Sequence, residues 1–234
     1  MLQIPEHDWG NVESPWISAD MEIWQLLTEG RKPVKYKAEQ LVFQQGDDFH
    51  SAFIVASGRV RISVFNDAGQ QKTLYIACPG AMIGESSCIL SHPHTMSAVA
   101  IVDSELYRVP SKELQRFFHS DQVLADLLLQ YEARKNHTLI SQAASLSFDS
   151  AEQRIAKTLL YLCDTYGVVT SNGIKLNISF TCNDIADVVN VSRVTVNNTM
   201  SAFRRDGIIK KADSRYYIKD LERLQGIPVE MIEF

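Results

Sequence analysis

The chain has 234 residues, enough for one or two domains with a real hydrophobic core. Hydrophobic residues make up 45% and charged residues 22%, in the range of ordinary globular material. No apolar run approaches the roughly 18 residues of a membrane span, and a net charge of −5 speaks against a uniformly basic nucleic-acid coat.

The N-terminal stretch MLQIPEHDWGNVESPW carries acids and lacks the apolar core of a secretory leader, so a cytoplasmic location is expected. Residues 20–30, DMEIWQLLTEG, have the pattern of a short amphipathic helix ending at Gly30. From 34 to 109 the pattern switches to short strands: VKYKA, QLVFQ, SAFIVA, GRVRISVF, KTLYIA, SAVAIV and SELYRVP. Gly46, Gly58, Gly69 and Gly80 punctuate them at intervals of 12, 11 and 11 residues, so a barrel or sandwich with glycine turns is expected.

SKELQRFFHS reads as one short helix, and Asp121 to about Ser147 as a long one. Along the long helix Leu129, Glu132, Asn136, Leu139, Ala143 and Leu146 alternate at spacings of three and four, the seam of a coiled coil interrupted by two polar residues. The competing reading is an amphipathic helix packed on its own barrel. SLSFDSAEQ is polar and reads as a hinge, with Asp149 and Glu152 as a capping box for a helix over Ala151–Tyr166. GIKLNISF then reads as a strand.

In DIADVVNVSRVTVNNTMSAFRRDGI two apolar-periodic segments stand back to back: Ile185, Val188 and Val189, then Val196, Met200 and Phe203. Thr181 with Asp184 forms a capping box, Asn190 tolerates the φ > 0 of a sharp turn, small Ala186 permits close approach, and Ser192 caps the second segment. This spacing predicts a helix-turn-helix. IIKKADSRYYI follows as a basic-tipped hairpin, and LERLQG closes the pattern.

Charge is unevenly placed. Residues 1–149 hold 12 basic and 18 acidic residues, net −6, whereas 150–234 hold 11 and 10, net +1. Within 193–219 seven basic residues face two acidic ones, net +5, which fits a phosphate-bearing partner. The cysteines at 78, 88, 163 and 182 form no C-x-x-C pair and no zinc spacing, so reduced structural thiols and no metal are expected.

The order of these motifs resembles the cAMP receptor protein and FNR (CRP/FNR) family of bacterial transcription regulators. QQGDDFHSAFIVASGRVRISV, PGAMIGESS, QRIAKTLLYL and VSRVTVNNTMSAFRRDGII carry the resemblance, which covers roughly residues 20–225. It implies an α+β fold. An N-terminal cyclic-nucleotide-binding-like β-roll (jelly-roll barrel) would span 1–120, a long dimerisation helix 121–147, and a C-terminal winged helix-turn-helix 148–234.

The resemblance also implies an effector pocket at Gly84 and Glu85. Tyr75 precedes it, Ile83, Ser86 and Ser87 flank it, and Lys135 and Leu139 on the long helix would roof it. Cyclic-nucleotide binders carry an Arg-Ser pair near the end of this segment; here the places hold Thr95 and Met96, leaving no bidentate cation for a phosphate. The pattern is closer to branches sensing small organic molecules, such as the halogenated-aromatic regulators of anaerobic respiration. A small organic anion or phenol is therefore expected, and no cofactor. An iron–sulfur cluster is disfavoured because residues 1–77 contain no cysteine. The alternatives are a haem regulator using His92 or His94, a thiol switch at Cys78 or Cys88, and a barrel without an effector.

On the second helix of the motif, behind Ser192 and Thr195 at its start, the face opposite Val196 carries Arg193, Val194, Asn197, Asn198 and Ser201. Arg193 matches a family arginine and suits guanine, Val194 can offer only apolar contact, and Asn suits adenine. Arg204, Arg205, Lys210 and Lys211 would meet phosphate. The implied partners are double-stranded DNA with an A·T-rich inverted repeat, a second copy paired through Leu129, Asn136, Leu139, Ala143 and Leu146, and RNA polymerase for an activator. An enzymatic rival, a cupin-like metal barrel using His92 and His94, lacks a following carboxylate before Asp103 and a further His, so no enzyme is expected.

Overall fold

The computed structural model describes residues 14–227. Residues 1–13, on which most of the leader reading falls, and 228–234 lie outside that range. The chain forms two compact units, residues 16–136 and residues 137 onward with 14–15, the boundary falling inside one long helix.

In the first unit β1 (Trp16–Ile17) leads to a 3₁₀ turn, Met21–Trp24, that runs on into α1 (Gln25–Thr28). Then come β2 (Val34–Tyr36), β3 (Leu41–Phe43), β4 (Ser51–Ser57), β5 (Val60–Phe65), β6 (Gln71–Ala77) and β7 (Met82–Ile83). The series ends with α2 (Glu85–Leu90), β8 (Ser97–Ala100), β9 (Ser104–Pro110), α3 (Ser111–Ser120) and α4 (Gln122–Phe148). The strands form one sheet ordered β1-β6-β5-β8-β3 and another ordered β2-β9-β4-β7. Phe43 of the first sheet stacks on Phe53 of the second at 5.9 Å, so the two share a core. The expected strands are all present; β1 and β7, two residues each, are too short to show a period.

Along β9 Ser104 and Leu106 are buried in alternation, and Val109, out of phase with them, is buried near the strand's end. On β5 the alternation breaks between Ile62 and Ser63, where a bulge shifts its register against β6. The four spaced glycines all sit at φ between 75° and 93°. Gly80 is also sterically obligatory: a Cβ there would lie 1.8 Å from the Ala19 carbonyl oxygen. The Trp24 indole donates to the Gly80 carbonyl at 2.7 Å and meets the Tyr131 ring edge-on at 5.6 Å.

Tyr131 ties α4 to the roll. Its hydroxyl donates to the Met82 carbonyl and accepts from the Met82 amide, both at 2.9 Å, and the neighbouring Arg134 guanidinium donates to the Ser18 carbonyl. One face of α4 thus packs as an ordinary amphipathic helix does. Another face is open: Leu129 (68% exposed), Ala133, Asn136, Ile140 (45%) and Ala143 recur at spacings of four and three. Of the expected seam, Glu132 and Leu139 are half-buried, and Ala133 and Ile140 stand exposed beside them; Leu146 is exposed.

The second unit holds α5 (Ala151–Tyr166), β10 (Gly167–Thr170), β11 (Gly173–Leu176), α6 (Cys182–Val189), α7 (Arg193–Arg205), β12 (Ile209–Ala212), β13 (Arg215–Ile218) and α8 (Leu221–Gln225). The capping box of α5 falls one residue later than expected. Ser150 caps it, with Gln153 reaching back, while Asp149 instead pairs with Lys157 at 2.8 Å. β10 pairs with β11 as a hairpin in the sheet β10-β11-β13-β12. β10, which is not among the strands expected from the sequence, begins at Gly167, the residue that ends α5.

Candidate functional site

The helix-turn-helix is built by local chemistry. Thr181 and Asp184 close a reciprocal cap at the start of α6, with bonds of 3.2 and 2.7 Å. Asn190 ends that helix in the left-handed conformation, φ 56° and ψ 53°. Ser192 caps α7 by accepting from the Thr195 amide at 3.0 Å, and the two hydroxyls lie 2.9 Å apart. Val196, Met200 and Phe203 are buried on one side of α7. Arg193, Val194 (66% exposed), Asn197, Asn198, Ser201 and Arg204 stand in solvent on the rest. Arg204 donates to the Ser201 hydroxyl at 2.9 Å, and Arg205 is held near Asp206 at 3.4 Å.

The following hairpin turns at Asp213 and Ser214, both with positive φ (50° and 59°), the type I′ geometry that matches strand twist. It exposes Lys210 and Lys211 on β12, the latter 5.1 Å above the Tyr216 ring. Arginine and lysine therefore flank a strip of neutral hydrogen-bonding side chains: cations for phosphate, amides for base edges.

The other set of expected residues converges inside the first unit. Tyr75 comes from β6, Ile83 from β7, Glu85 is the first residue of α2, and Lys135 lies on α4. All four are buried, as is Ser87, and Ser86 is half-buried. Gly84 turns the chain into α2 at φ 77°, where a Cβ would lie 3.0 Å from His94 Cε1. Leu139 is half-buried and belongs to the other unit. The Lys135 ammonium contacts Glu85 Oε1 directly and lies 3.3 Å from Glu132 Oε1. It also sits 5.8 Å from the Tyr75 ring centre and 5.5 Å from that of Tyr131. Glu85 Oε2 and the Tyr75 hydroxyl are buried without a hydrogen-bond partner.

Burial pushes the Glu85 carboxyl up to about 8, Lys135 returning only part of the shift and Glu132 adding to it. Burial opposes the Lys135 ammonium, but Glu85, Tyr75, Glu132 and Tyr131 together outweigh it and hold its pKa well above the lysine value. Burial also raises the Tyr75 phenol. The sequence suggests Lys135 as the cation facing a ligand, opposed by Glu85 nearby; the structure puts the two side chains in direct contact.

His94 is buried and stacks on Phe43 at 4.0 Å, and burial lowers its pKa; it packs the wall of a cleft of about 320 Å³ lined by Asp47, His50, Ser51 and Arg108. His92 is exposed. Among the described residues no three His, Cys, Asp or Glu side chains converge as a metal set. Cys78 and Cys88 are buried, and burial pushes the Cys88 thiol up to about 11, away from reactivity. No described helix is long and apolar enough to cross a membrane.

Residues 33–121 match the cyclic nucleotide-binding domain family, and residues 153–227 match the Crp-like helix-turn-helix domain family. The chain is 29% identical over 198 residues to a CRP-like cAMP-activated global transcriptional regulator of Mycobacterium tuberculosis, covering 85% of this chain and 88% of that protein. Among solved structures, FixK2 from Bradyrhizobium japonicum superposes with a TM-score of 0.74 at 19% identity, covering 85% of this chain and 98% of that one. CprK complexed with OCPA superposes with a TM-score of 0.68 at 18% identity, covering 92% and 98%. With both domains present in family order, the long helix between them and capped α6 and α7 behind, the chain belongs to the CRP/FNR family of transcriptional regulators.

Proposed function

We propose that the protein is a ligand-responsive regulator, not an enzyme, that binds an A·T-rich inverted repeat as a homodimer. The observation that carries this reading is the exposed row Arg193, Val194, Asn197 and Asn198 on α7, held outward by buried Val196, Met200 and Phe203. Val194 cannot accept from cytosine N4; a thymine methyl is its best contact. An Asn side chain pairs with adenine, and Arg193 reads at most one guanine per half-site. Two copies joined along the open stripe of α4 would present two such helices about 34 Å apart, one turn of DNA. As an activator, the dimer would also contact RNA polymerase.

The effector in this reading is a small organic anion or phenol captured at Lys135, rather than cAMP. Thr95 and Met96 supply no guanidinium for a cyclic phosphate, while Lys135 is a buried cation among tyrosine rings. CprK, a neighbour in fold, is known in complex with OCPA.

Selection of bound sites from random DNA tests the DNA half of the proposal. An A·T-rich palindrome is expected, and enrichment of a G·C-rich palindrome, or of none, would overturn it. Titration calorimetry with cAMP tests the effector half, and micromolar affinity would remove its basis.

A further inference from the structure

Above about pH 8, where Glu85 is ionised, the cluster at Lys135 is complete in charge before any effector arrives. Lys135 bridges from α4 to Glu85 at the head of α2, and both side chains are buried. A buried ammonium attracts any small anion that reaches it, yet here a carboxylate of the same chain already occupies the place. Two further atoms are poorly served: Glu85 Oε2 and the Tyr75 hydroxyl have no hydrogen-bond partner. A buried pair with an unsatisfied oxygen costs more than a satisfied one, and so yields more readily to a competitor that satisfies the cluster better.

We propose that Glu85 is an internal competitor of the effector: a monoanionic aromatic acid or phenolate displaces its carboxylate from Lys135, and the displaced carboxylate takes one proton from solvent. The inference rests on the placement of the effector at Lys135 proposed above.

The groups facing Glu85 account for the proton. From α4 these are Lys135, Glu132 and Tyr131; from β6, Tyr75; from its own helix, Cys88. Only Lys135 is cationic. Once its charge is taken by a ligand, Glu85 is left with burial and the Glu132 carboxylate, both of which favour the neutral acid. Protonated Glu85 is also a hydrogen-bond donor, in a cluster where the Tyr75 hydroxyl lacks a partner. One anion and one proton enter together, so the cluster's net charge is unchanged. A neutral ligand cannot make this exchange, and a dianion would leave an uncompensated buried charge. The Tyr75 and Tyr131 rings, centred 5.8 and 5.5 Å from the ammonium, favour an aromatic body on the ligand. The exchange also breaks the direct ion pair that joins α2 to α4, so occupancy is communicated to the long helix.

Benzoate and 3-chlorobenzoate, ionised throughout pH 6.5–9, are suitable probes. Calorimetry of the full chain at pH 8.5, in two buffers of different protonation enthalpy, should show about three-quarters of a proton taken up per benzoate bound. Uptake should fall toward zero by pH 6.5, where Glu85 already holds its proton, and affinity should fall up to tenfold per pH unit above about 8. Glu85→Gln should abolish both the uptake and the pH dependence, and bind the probes about fourfold tighter at pH 8.5 and about tenfold tighter at pH 9. Binding by wild type without proton uptake at pH 8.5 overturns the exchange, as does a folded Glu85→Gln that binds no tighter than wild type or not at all. The double variant Glu85→Gln/Lys135→Met, which carries neither charge, separates this failure from that of the effector placement. If it binds the probes as well as Glu85→Gln does, the anion is not held at Lys135 and the placement itself fails. Loss of binding in the double variant without a gain in Glu85→Gln removes only the exchange.

Discussion

The two candidate sites treat charge in opposite ways. The recognition helix α7 keeps Arg193, Asn197, Asn198 and Arg204 in water and buries only Val196, Met200 and Phe203. The β-roll buries Glu85 and Lys135 against one another. An exposed cation has no buried partner to abandon and can turn to phosphate at little folding cost. A buried pair is sensitive to what is beside it, because each charge depends on the other for compensation. The first arrangement suits a rigid reading head; the second suits a sensor whose packing depends on what occupies it.

The largest expected effect follows from breaking the buried pair on one side. Lys135→Met leaves the Glu85 carboxylate uncompensated beside Glu132, and removing one partner of such a pair costs about 3–5 kcal/mol. The sign with pH is definite. A carboxyl raised from 4.5 to about 8 binds more protons folded than unfolded in that window, so its contribution to stability falls as pH rises through it. The Lys135→Met penalty should therefore be greatest above pH 8 and change little between pH 7 and pH 5, where Glu85 holds its proton with or without the lysine, and the double variant Glu85→Gln/Lys135→Met should recover most of it. Urea unfolding at pH 5, 7 and 9 measures all three, and a pH-independent penalty would place the missing stability in packing rather than charge.

A smaller effect should come from the open stripe of α4. Ile140→Glu changes a residue that is 45% exposed in the single chain, so monomer folding should be little altered. If the stripe pairs two copies, each interface would receive two glutamates, costing about 2 kcal/mol or more, roughly thirtyfold in the dimer Kd. Sedimentation equilibrium reads this directly. An unchanged dimer would move the interface off Leu129, Asn136, Ile140 and Ala143.

The same contrast governs how much the sequence discloses. The helix-turn-helix is legible down to single residues: the Thr181–Asp184 cap, left-handed Asn190 and the Ser192 cap depend on contacts within four residues along the chain, and the buried face of α7 repeats at helical spacing. Local chemistry writes itself into local spacing. The strands of the roll are legible for the same reason, through alternation and turn glycines. The convergence of Tyr75, Glu85 and Lys135 depends on resemblance, because Glu85 and Lys135 are 50 residues apart and no period links them. That Glu85 opposes Lys135 follows from the same resemblance, but their burial in direct contact is not legible; a lysine and a glutamate in sequence carry no sign of burial. On α4 two of the expected seam positions, Glu132 and Leu139, are half-buried in the single chain, while Ala133 and Ile140 beside them are exposed. Glu132 and Leu139 share the face that packs inward, and heptad spacing alone does not distinguish 132 and 139 from 133 and 140.

On the DNA side a moderate effect separates base reading from phosphate contact. Asn198→Ala removes an exposed amide on the outer face of α7, so folding should not change. A bidentate contact to adenine discriminates by about 1–3 kcal/mol, and its removal should relax preference at one position in each half-site. Competition binding against single-base variants of the selected site measures it. Relaxation at no position, with uniformly weaker binding, would make Asn198 a backbone contact.

The smallest effect is expected at Lys210, and it is the most diagnostic of the open charge on this unit. Lys210 is exposed on β12, in register across the hairpin with Tyr217. An exposed lysine of this kind meets phosphate by charge alone, releasing condensed counterions and carrying no information about base sequence. Lys210→Ala should therefore leave the order of preferred sites untouched and weaken all of them by the same factor. The slope of log affinity against log salt should become shallower by about 0.9 for each phosphate that is no longer neutralised, which for two copies on one site is about 1.8. Binding of one strong and one weak site, titrated across salt, tests both statements together. A changed ratio between the two sites would give Lys210 a part in base readout, and an unchanged slope would place the wing off the DNA.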